Sequence, residues 1–320
     1  MHWQIGIDEA GYGPNLGPFV MVGVGFRSSQ AASLPLWEAL APGVGRADAP
    51  AHRLAVDDSK RIYTSGSRRG LQRLEAATLA FPWEADGLPT TCAQLLQCIA
   101  AASLAGLAQE PSFQPDTALP HWADPDRLTA QTLELGRLLD QHGLARPRLA
   151  AVIICPSEFN ALLDTQASKS AVLQAALTRI VRTHATWAAP ADTLALTIDQ
   201  QGGRLRYAAL LHAMLPEARV EVIAESPQGC QYRLVRDQQT WTVRLAPRAD
   251  QLCLETALAS MVAKYLRELL MAQFNRYWCA QVAGLRPTAG YPVDAARFRA
   301  AVGPRLAELG LAESTLWRRK

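Results

Sequence analysis

"GIDEAGYGP", residues 6–14, is the stretch on which the rest of the chain turns. Its apolar lead-in of Trp3, Ile5 and Ile7 alternates as a half-buried strand does, and Asp8 and Glu9 stand at its end. Gly11, Gly13 and Pro14 follow, then a second apolar run, "FVMVGVGF" at 19–26, so the segment reads as strand, loop, strand. Open α/β sheets carry their sites at the carboxyl ends of strands, where this charge is placed. Acidic residues in such positions serve equally as helix caps and turn formers.

A second strand end of the same kind makes the site reading sharper. "TLALTI" at 193–198 closes in Asp199, so two neighbouring strands would bring several carboxylates together. Such groups repel one another and hold their protons unless a cation lies between them. Hard divalent ions with oxygen ligands, Mg²⁺ or Mn²⁺, would resolve that conflict, activate water and steady the leaving oxygen of a phosphodiester. Adjacent Asp8 and Glu9 point to opposite faces of a regular strand. Both serve one site only if the strand ends or bulges there, as Gly11 and Gly13 allow.

Elsewhere strands alternate with helices, which points to a mixed α/β layer fold. Residues 33–53 read as a Pro/Ala/Gly loop, followed by "VDDSK" at 56–60 and a basic helix, "SGSRRGLQRLEAATLA". Between 84 and 150 lie two Ala/Leu-rich helical patterns, near 92–107 and 127–143. A buried strand "RLAAVIIC", a helix opening at "PSEFNALLD" and an amphipathic helix over 169–188 come next. Beyond Asp199 the sequence predicts a helix over 205–214, a strand over 219–224, a hairpin from "CQYRLVRD" and "QTWTVRLA", a long helix over 252–274 and a last one over 293–309.

Bulk properties narrow the function classes without choosing one. With 320 residues, 49% hydrophobic and 19% charged, the chain has enough apolar residues for a full core. A net charge of +3 permits a nucleic-acid partner without requiring one. The six cysteines form no C-x-x-C pair, which argues against a zinc site or a disulfide framework and suits a reducing compartment. No signal-peptide pattern opens the chain and no apolar run is long enough to span a bilayer, so a cytoplasmic protein without a membrane role is expected. The six histidines lack metal-ligand spacing and read as surface groups. Glu255 reads as solvated, and the basic stretches "SRRGLQR" and "LWRRK" as phosphate contacts or solvated faces.

"GIDEAGYGPNLGP" resembles the opening motif of the type 2 ribonucleases H, a D-E-A-G-x-G-P strand end followed by a second G-P. Further blocks occur in the family's order. "VDDSK" resembles its D-S-K block, "LTIDQQGG" the strand with its third acidic residue, "ADQLCLETALASMVAK" its helix block and "AGYP" its K-G-Y-G/P block. The resemblance implies a ribonuclease H-like fold, a mixed central sheet flanked by helices, formed by the whole of residues 1–320. A helical pair over 84–147 and a hairpin over 226–248 stand as insertions outside the family pattern, and a helical region covers 281–320.

It implies, too, a metal-dependent endonuclease that cuts the RNA strand of RNA:DNA hybrids, or cuts at ribonucleotides embedded in duplex DNA, leaving 3′-hydroxyl and 5′-phosphate ends. Carried over by position, Asp8, Glu9, Asp199 and Asp250 would be the catalytic carboxylates and hold Mg²⁺ or Mn²⁺. Gly11, Tyr12 and Gly13 would read the ribose 2′-hydroxyl through the main chain, Lys60 would contact phosphate, and Tyr291 would stack on the neighbouring sugar. Three places depart from the pattern: Tyr12 stands where the family usually has a basic residue, Ala289 where it has a lysine, and "ALASM" where it has an A-A-S-I core. The departure at Tyr12, with the insertions, motivates a second reading as a nucleic-acid-binding member that is non-catalytic or altered in specificity.

Overall fold

The apolar lead-in forms β1 (His2–Ala10), which pairs antiparallel with β2 (Phe19–Ser28) and parallel with β6 (Thr193–Asp199). A computed structural model describes residues 1–30, 33–166, 168–200 and 204–319; Gln201, Gly202 and Gly203 of "LTIDQQGG" and Lys320 of "LWRRK" lie outside them. After β2 come α1 (Leu36–Ala39) and the paired two-residue strands β3 (Val44–Gly45) and β4 (Leu54–Ala55), where the sequence reads as loop. "VDDSK" then enters α2 (Ser59–Ile62), and the basic stretch forms α3 (Arg68–Ala80) behind a Ser67 cap that accepts from the Gly70 amide at 3.0 Å.

The expected helical pair is α4 (Cys92–Ile99) and α6 (Pro125–Gln141), with the single turn α5 (Leu104–Leu107) between them. Asp124 caps α6, and Pro125 occupies its first turn. β5 (Arg148–Ile154), α7 (Pro156–Gln166) and α8 (Lys169–Trp187) lead to β6, followed by α9 (Ala208–Met214) and β7 (Arg219–Ser226). The hairpin forms as β8 (Gly229–Arg236) and β9 (Gln239–Ala246). Three helices follow: α10 (Ala249–Leu252), α11 (Leu254–Gln281) and α12 (Pro292–Glu308).

Seven strands make one mixed sheet in the order β5-β2-β1-β6-β9-β8-β7. β9 lies parallel to β6, with Ile198 opposite Leu245, so the hairpin is continuous with the central sheet. Residue alternation along β2 separates the two faces. Val20, Val22 and Val24 meet α11, while Phe19 and Met21 meet α8 together with Ile5 and Ile7 of β1. Leu95 and Leu96 of α4 and Leu135 and Leu139 of α6 belong to the same core as Val22 and Leu258, so the helical pair packs into that layer. No helix among the described residues is long and apolar enough to cross a membrane.

Three charged or polar side chains lie deeper than their sequence suggests. His184 is buried against β2, and a Cβ at Gly23 would come within 2.5 Å of its ring, so the bare positions of "VGVG" make room for an imidazole. Burial pushes that imidazole down to about 4. Glu255, read as solvated, is buried at the start of α11, and burial raises its carboxyl. Arg318 of "LWRRK" is fully buried.

β1 and α11 approach backbone to backbone at Gly6. A Cβ placed on Gly6 would sit 2.2 Å from the Thr256 amide nitrogen, which is backbone and cannot yield as a flexible side chain would. Gly6→Ala is therefore expected to cost about 3 kcal/mol or more, the upper end of overpacking penalties, read as a fall in the urea midpoint of unfolding.

Candidate active site

Three elements carry the four candidate carboxylates. Asp8 and Glu9 end β1, Asp199 ends the adjacent parallel strand β6, and Asp250 lies in the single turn α10 just after β9. Asp199 is anchored by the Ala249 amide, which donates to Oδ1 at 2.9 Å, so α10 is tied to the end of β6. β1 stays in regular register with β2 as far as Ala10, opposite Val20, so there is no bulge at the two carboxylates. The strand instead ends at Gly11, whose φ of +87° turns the chain.

The electrostatics record this crowding. Burial holds the Asp8 carboxyl well above its usual range, and the charges of Glu9 and Asp199 add to the rise. The Ser260 hydroxyl and the Glu9 amide, which donates to Asp8 Oδ1 at 2.8 Å, oppose it. Glu9 is pushed up to about 7 by burial and then by Asp199, against the attraction of Lys60. Burial raises Asp199 as well, with the Ala249 amide and Lys60 pulling the other way. Asp250 is raised to about 6 by burial and by the charges of Asp58 and Asp199; a hydrogen bond with Asp58 adds to the rise. Lys60 thus acts on three of the four carboxylates.

These donors are all carboxylate oxygens, the type that hard divalent cations take. As placed, no three His, Cys, Asp or Glu groups among the described residues stand close enough to hold one ion. The strand geometry accounts for part of this: β1 remains regular, so successive side chains leave it on opposite sides. Asp8 is opposite Val22 on the α11 face, and Glu9 is opposite Met21 on the other.

Beside the carboxylates runs a groove of about 270 Å³. Glu9, Gly11, Lys60 and Tyr291 line it, together with Lys264 and Arg267 of α11. Tyr291, at the start of α12, is 55% exposed there. Sequence reasoning placed no role on Tyr63, Lys264, Arg267 or Asp58. Lys264 pairs with Glu268 at 2.6 Å and lies over the Tyr63 ring at 5.0 Å. Arg267, one turn further along the same helix, was findable as its i+3 neighbour. It is buried and donates to the Ala289 carbonyl at 2.9 Å. Of the two Asp residues in "VDDSK", Asp57 is a buried strut paired with Arg61 at 2.9 Å, and Asp58 caps α2.

Gly11 and Gly13 differ. A Cβ on Gly11 would meet Arg267 and the Pro18 carbonyl at 2.7 Å, whereas one on Gly13 would meet nothing, so only Gly11 is required by conformation and space. Tyr12 does not line the groove. Its ring packs edge-on to Phe19 at 6.2 Å, and Lys169 Nζ lies 5.3 Å from its centroid and donates to its carbonyl at 3.3 Å. Arg318 reaches under the loop and donates to the carbonyls of Gly11, at 2.7 Å, and Pro14. The loop carbonyls are thereby engaged, while the amides of Tyr12 and Gly13 have no hydrogen-bond partner among the described residues.

No family model and no curated protein sequence matches the chain. Among solved structures, a point mutant of Bst-RNase HIII is similar with a TM-score of 0.50 and 15% identity, over 98% of this chain and 65% of that one. The chain has a ribonuclease H-like fold. RNase HII in its PCNA complex from Archaeoglobus fulgidus is similar at a TM-score of 0.43 and 14% identity, over 99% and 94% of the two chains. The Mn²⁺ complex of Bst-RNase HIII gives 0.44 and 14%, over 99% and 65%.

Two outcomes follow from this geometry. The folded chain keeps the Glu9 proton up to about 7 and the unfolded chain only to about 4.5, so stability falls as pH rises through that window and is level above it. Glu9→Gln should accordingly be more stable than wild type at pH 8, by on the order of 1 kcal/mol, with the difference vanishing near pH 4 in paired thermal melts. Arg318→Ala should cost about 3 kcal/mol or more in urea unfolding, because it strands the buried Pro14 carbonyl and the part-buried Gly11 carbonyl.

Proposed function

We propose that the protein is a divalent-metal-dependent endonuclease that cleaves the RNA strand of RNA:DNA hybrids, or cleaves at ribonucleotides embedded in duplex DNA, leaving 3′-hydroxyl and 5′-phosphate ends. The observation that carries this reading is the placement of Asp8 and Glu9 at the end of β1, of Asp199 at the end of the adjacent β6 and of Asp250 in α10, which the Ala249 amide ties to Asp199, in a ribonuclease H-like fold. Four carboxylates held together against their repulsion are a costly arrangement for a surface with no cation to receive.

In this reading Asp8, Glu9, Asp199 and Asp250 hold Mg²⁺ or Mn²⁺, which supplies charge neutralisation and an acidified water. The protein's own groups do the positioning. Lys60 and Lys264 receive backbone phosphates along the groove, and the amides of Tyr12 and Gly13 offer donors to the ribose 2′-hydroxyl. Tyr291, exposed on the rim, offers a face to the adjoining sugar. The cation expected at position 12 is replaced in space: Lys169 lies over the Tyr12 ring and brings positive charge to the same loop. A cytoplasmic location and a nucleic-acid partner accord with this role.

The second reading, binding without cleavage, draws on the absence among the described residues of three carboxylates placed around one point. One experiment separates the two. A labelled duplex carrying a single ribonucleotide is incubated with the protein and Mg²⁺ or Mn²⁺, and cutting and binding are measured on the same substrate. Cleavage is expected on the 5′ side of the ribonucleotide, falling by at least a hundredfold in Asp8→Asn and Asp199→Asn while the affinity for the duplex persists. Tight binding with no metal-dependent cutting supports the second reading, and undiminished cutting by Asp8→Asn defeats the first.

A further inference from the structure

Away from the carboxylates, α3 and α6 face each other across a cavity of about 350 Å³. Both helices turn one stripe toward it. From α3 come Arg69, Arg73 and Ala76, and from α6 come Arg127 and Gln131, at the i, i+3, i+4, i+7 spacing that normally carries apolar side chains into a helix pair. Arg53, from the loop between the two short strands, completes the wall.

Four guanidinium groups therefore share one concavity, and none is ion-paired with a carboxylate among the described residues. Arg73 and Arg127 donate to backbone carbonyls, those of Ala47 at 2.6 Å and Ala51, and the Arg53 Nε is buried with no partner. The one carboxylate in the wall, Asp124, is occupied as the α6 cap and accepts from the Arg127 amide at 2.9 Å. Burial, then the like charges of Arg69 and Arg127, disfavour the charged form of Arg73.

We propose that this cavity is an anion site that takes phosphate groups. Guanidinium forks match phosphate oxygens in bidentate geometry, and an entering phosphate would relieve the repulsion among the four arginines. No aromatic side chain lines the cavity among the described residues, so it has no stacking platform for a base and reads charge alone. The phosphate could come from the backbone of a polynucleotide or from a free phosphate-bearing molecule. The loop that forms the wall runs straight on into Asp58 and Lys60, and its Arg46 donates to the Gln251 carbonyl, beside Asp250, at 3.4 Å. That continuity favours a strand reaching both places.

Calorimetric titration of the whole chain with pyrophosphate, in metal-free buffer with chelator, tests the site without calling on cleavage. Metal-free binding of a labelled hybrid across a salt series is measured alongside. Arg69→Glu and Arg127→Gln are compared with wild type and with Arg206→Gln, an exposed arginine outside the cavity; circular dichroism confirms folding, and Arg69→Gln replaces either variant that fails to fold. Pyrophosphate binding should fall about tenfold in the cavity variants and stay level in Arg206→Gln. Hybrid affinity that falls as well, with a salt slope reduced by about 1, assigns the site to polynucleotide phosphates. Unchanged hybrid affinity alongside lost pyrophosphate binding assigns it to a free phosphate-bearing molecule. Pyrophosphate and hybrid affinities that are the same in wild type and cavity variants overturn the proposal, whether or not the titration gives heat.

Discussion

The site depends on how closely α11 lies on β1. At Gly6 the two backbones meet with no side chain between them, and that contact fixes the height of everything that follows on both elements. It brings Ser260 beside Asp8, and the helix carries Lys264 and Arg267 to the wall of the groove. A helix packed at ordinary side-chain distance would stand several ångströms further off. Gly6 lies two residues before the first carboxylate, so the same stretch supplies both the site's charge and the close approach that positions it.

The carboxylate cluster opposes the stability of its own scaffold. Glu9 and Asp250 hold protons well into the range where free carboxyls have lost them, which means the fold tolerates their charge poorly. The surrounding structure answers with fixed dipoles and one cation: the amides of Glu9 and Ala249, and the ammonium of Lys60. The anions lie at the ends of strands and in a single helical turn, places that can shift without disturbing the core.

Much of this was legible in the residues. Alternation along β1 and β2, the two acidic strand ends, and the Ser start signal of α3 all led to elements where they were expected. Asp8, Glu9, Asp199 and Asp250 are proposed from motif order, and Asp199 lies within electrostatic reach of the other three. What escaped was long-range burial. Nothing local to Glu255 says that a strand glycine lies against its backbone, and nothing in "LWRRK" distinguishes the buried Arg318 from the half-exposed Arg319. His184 was hidden for the same reason, because its pocket is made by two glycines on a strand far away in the chain. The sequence reading also treated Gly11 and Gly13 alike, and the left-handed turn at Gly11 and its packing against Arg267 and Pro18 separate them.

The brace formed by Arg318 has a consequence for when the site comes into being. Its contacts with Gly11 and Pro14 span separations of 307 and 304 residues, and the Asn15 amide side chain and the Arg318 carbonyl close the same join at 3.1 Å. Contacts of such separation form late, since the intervening chain must first be ordered. During synthesis the strand bearing Asp8 and Glu9 precedes Arg318 by about 300 residues, so its loop stays unlocked until residue 318 has cleared the ribosome. Over that interval the nascent chain carries Asp8 and Glu9 without the brace that holds their loop.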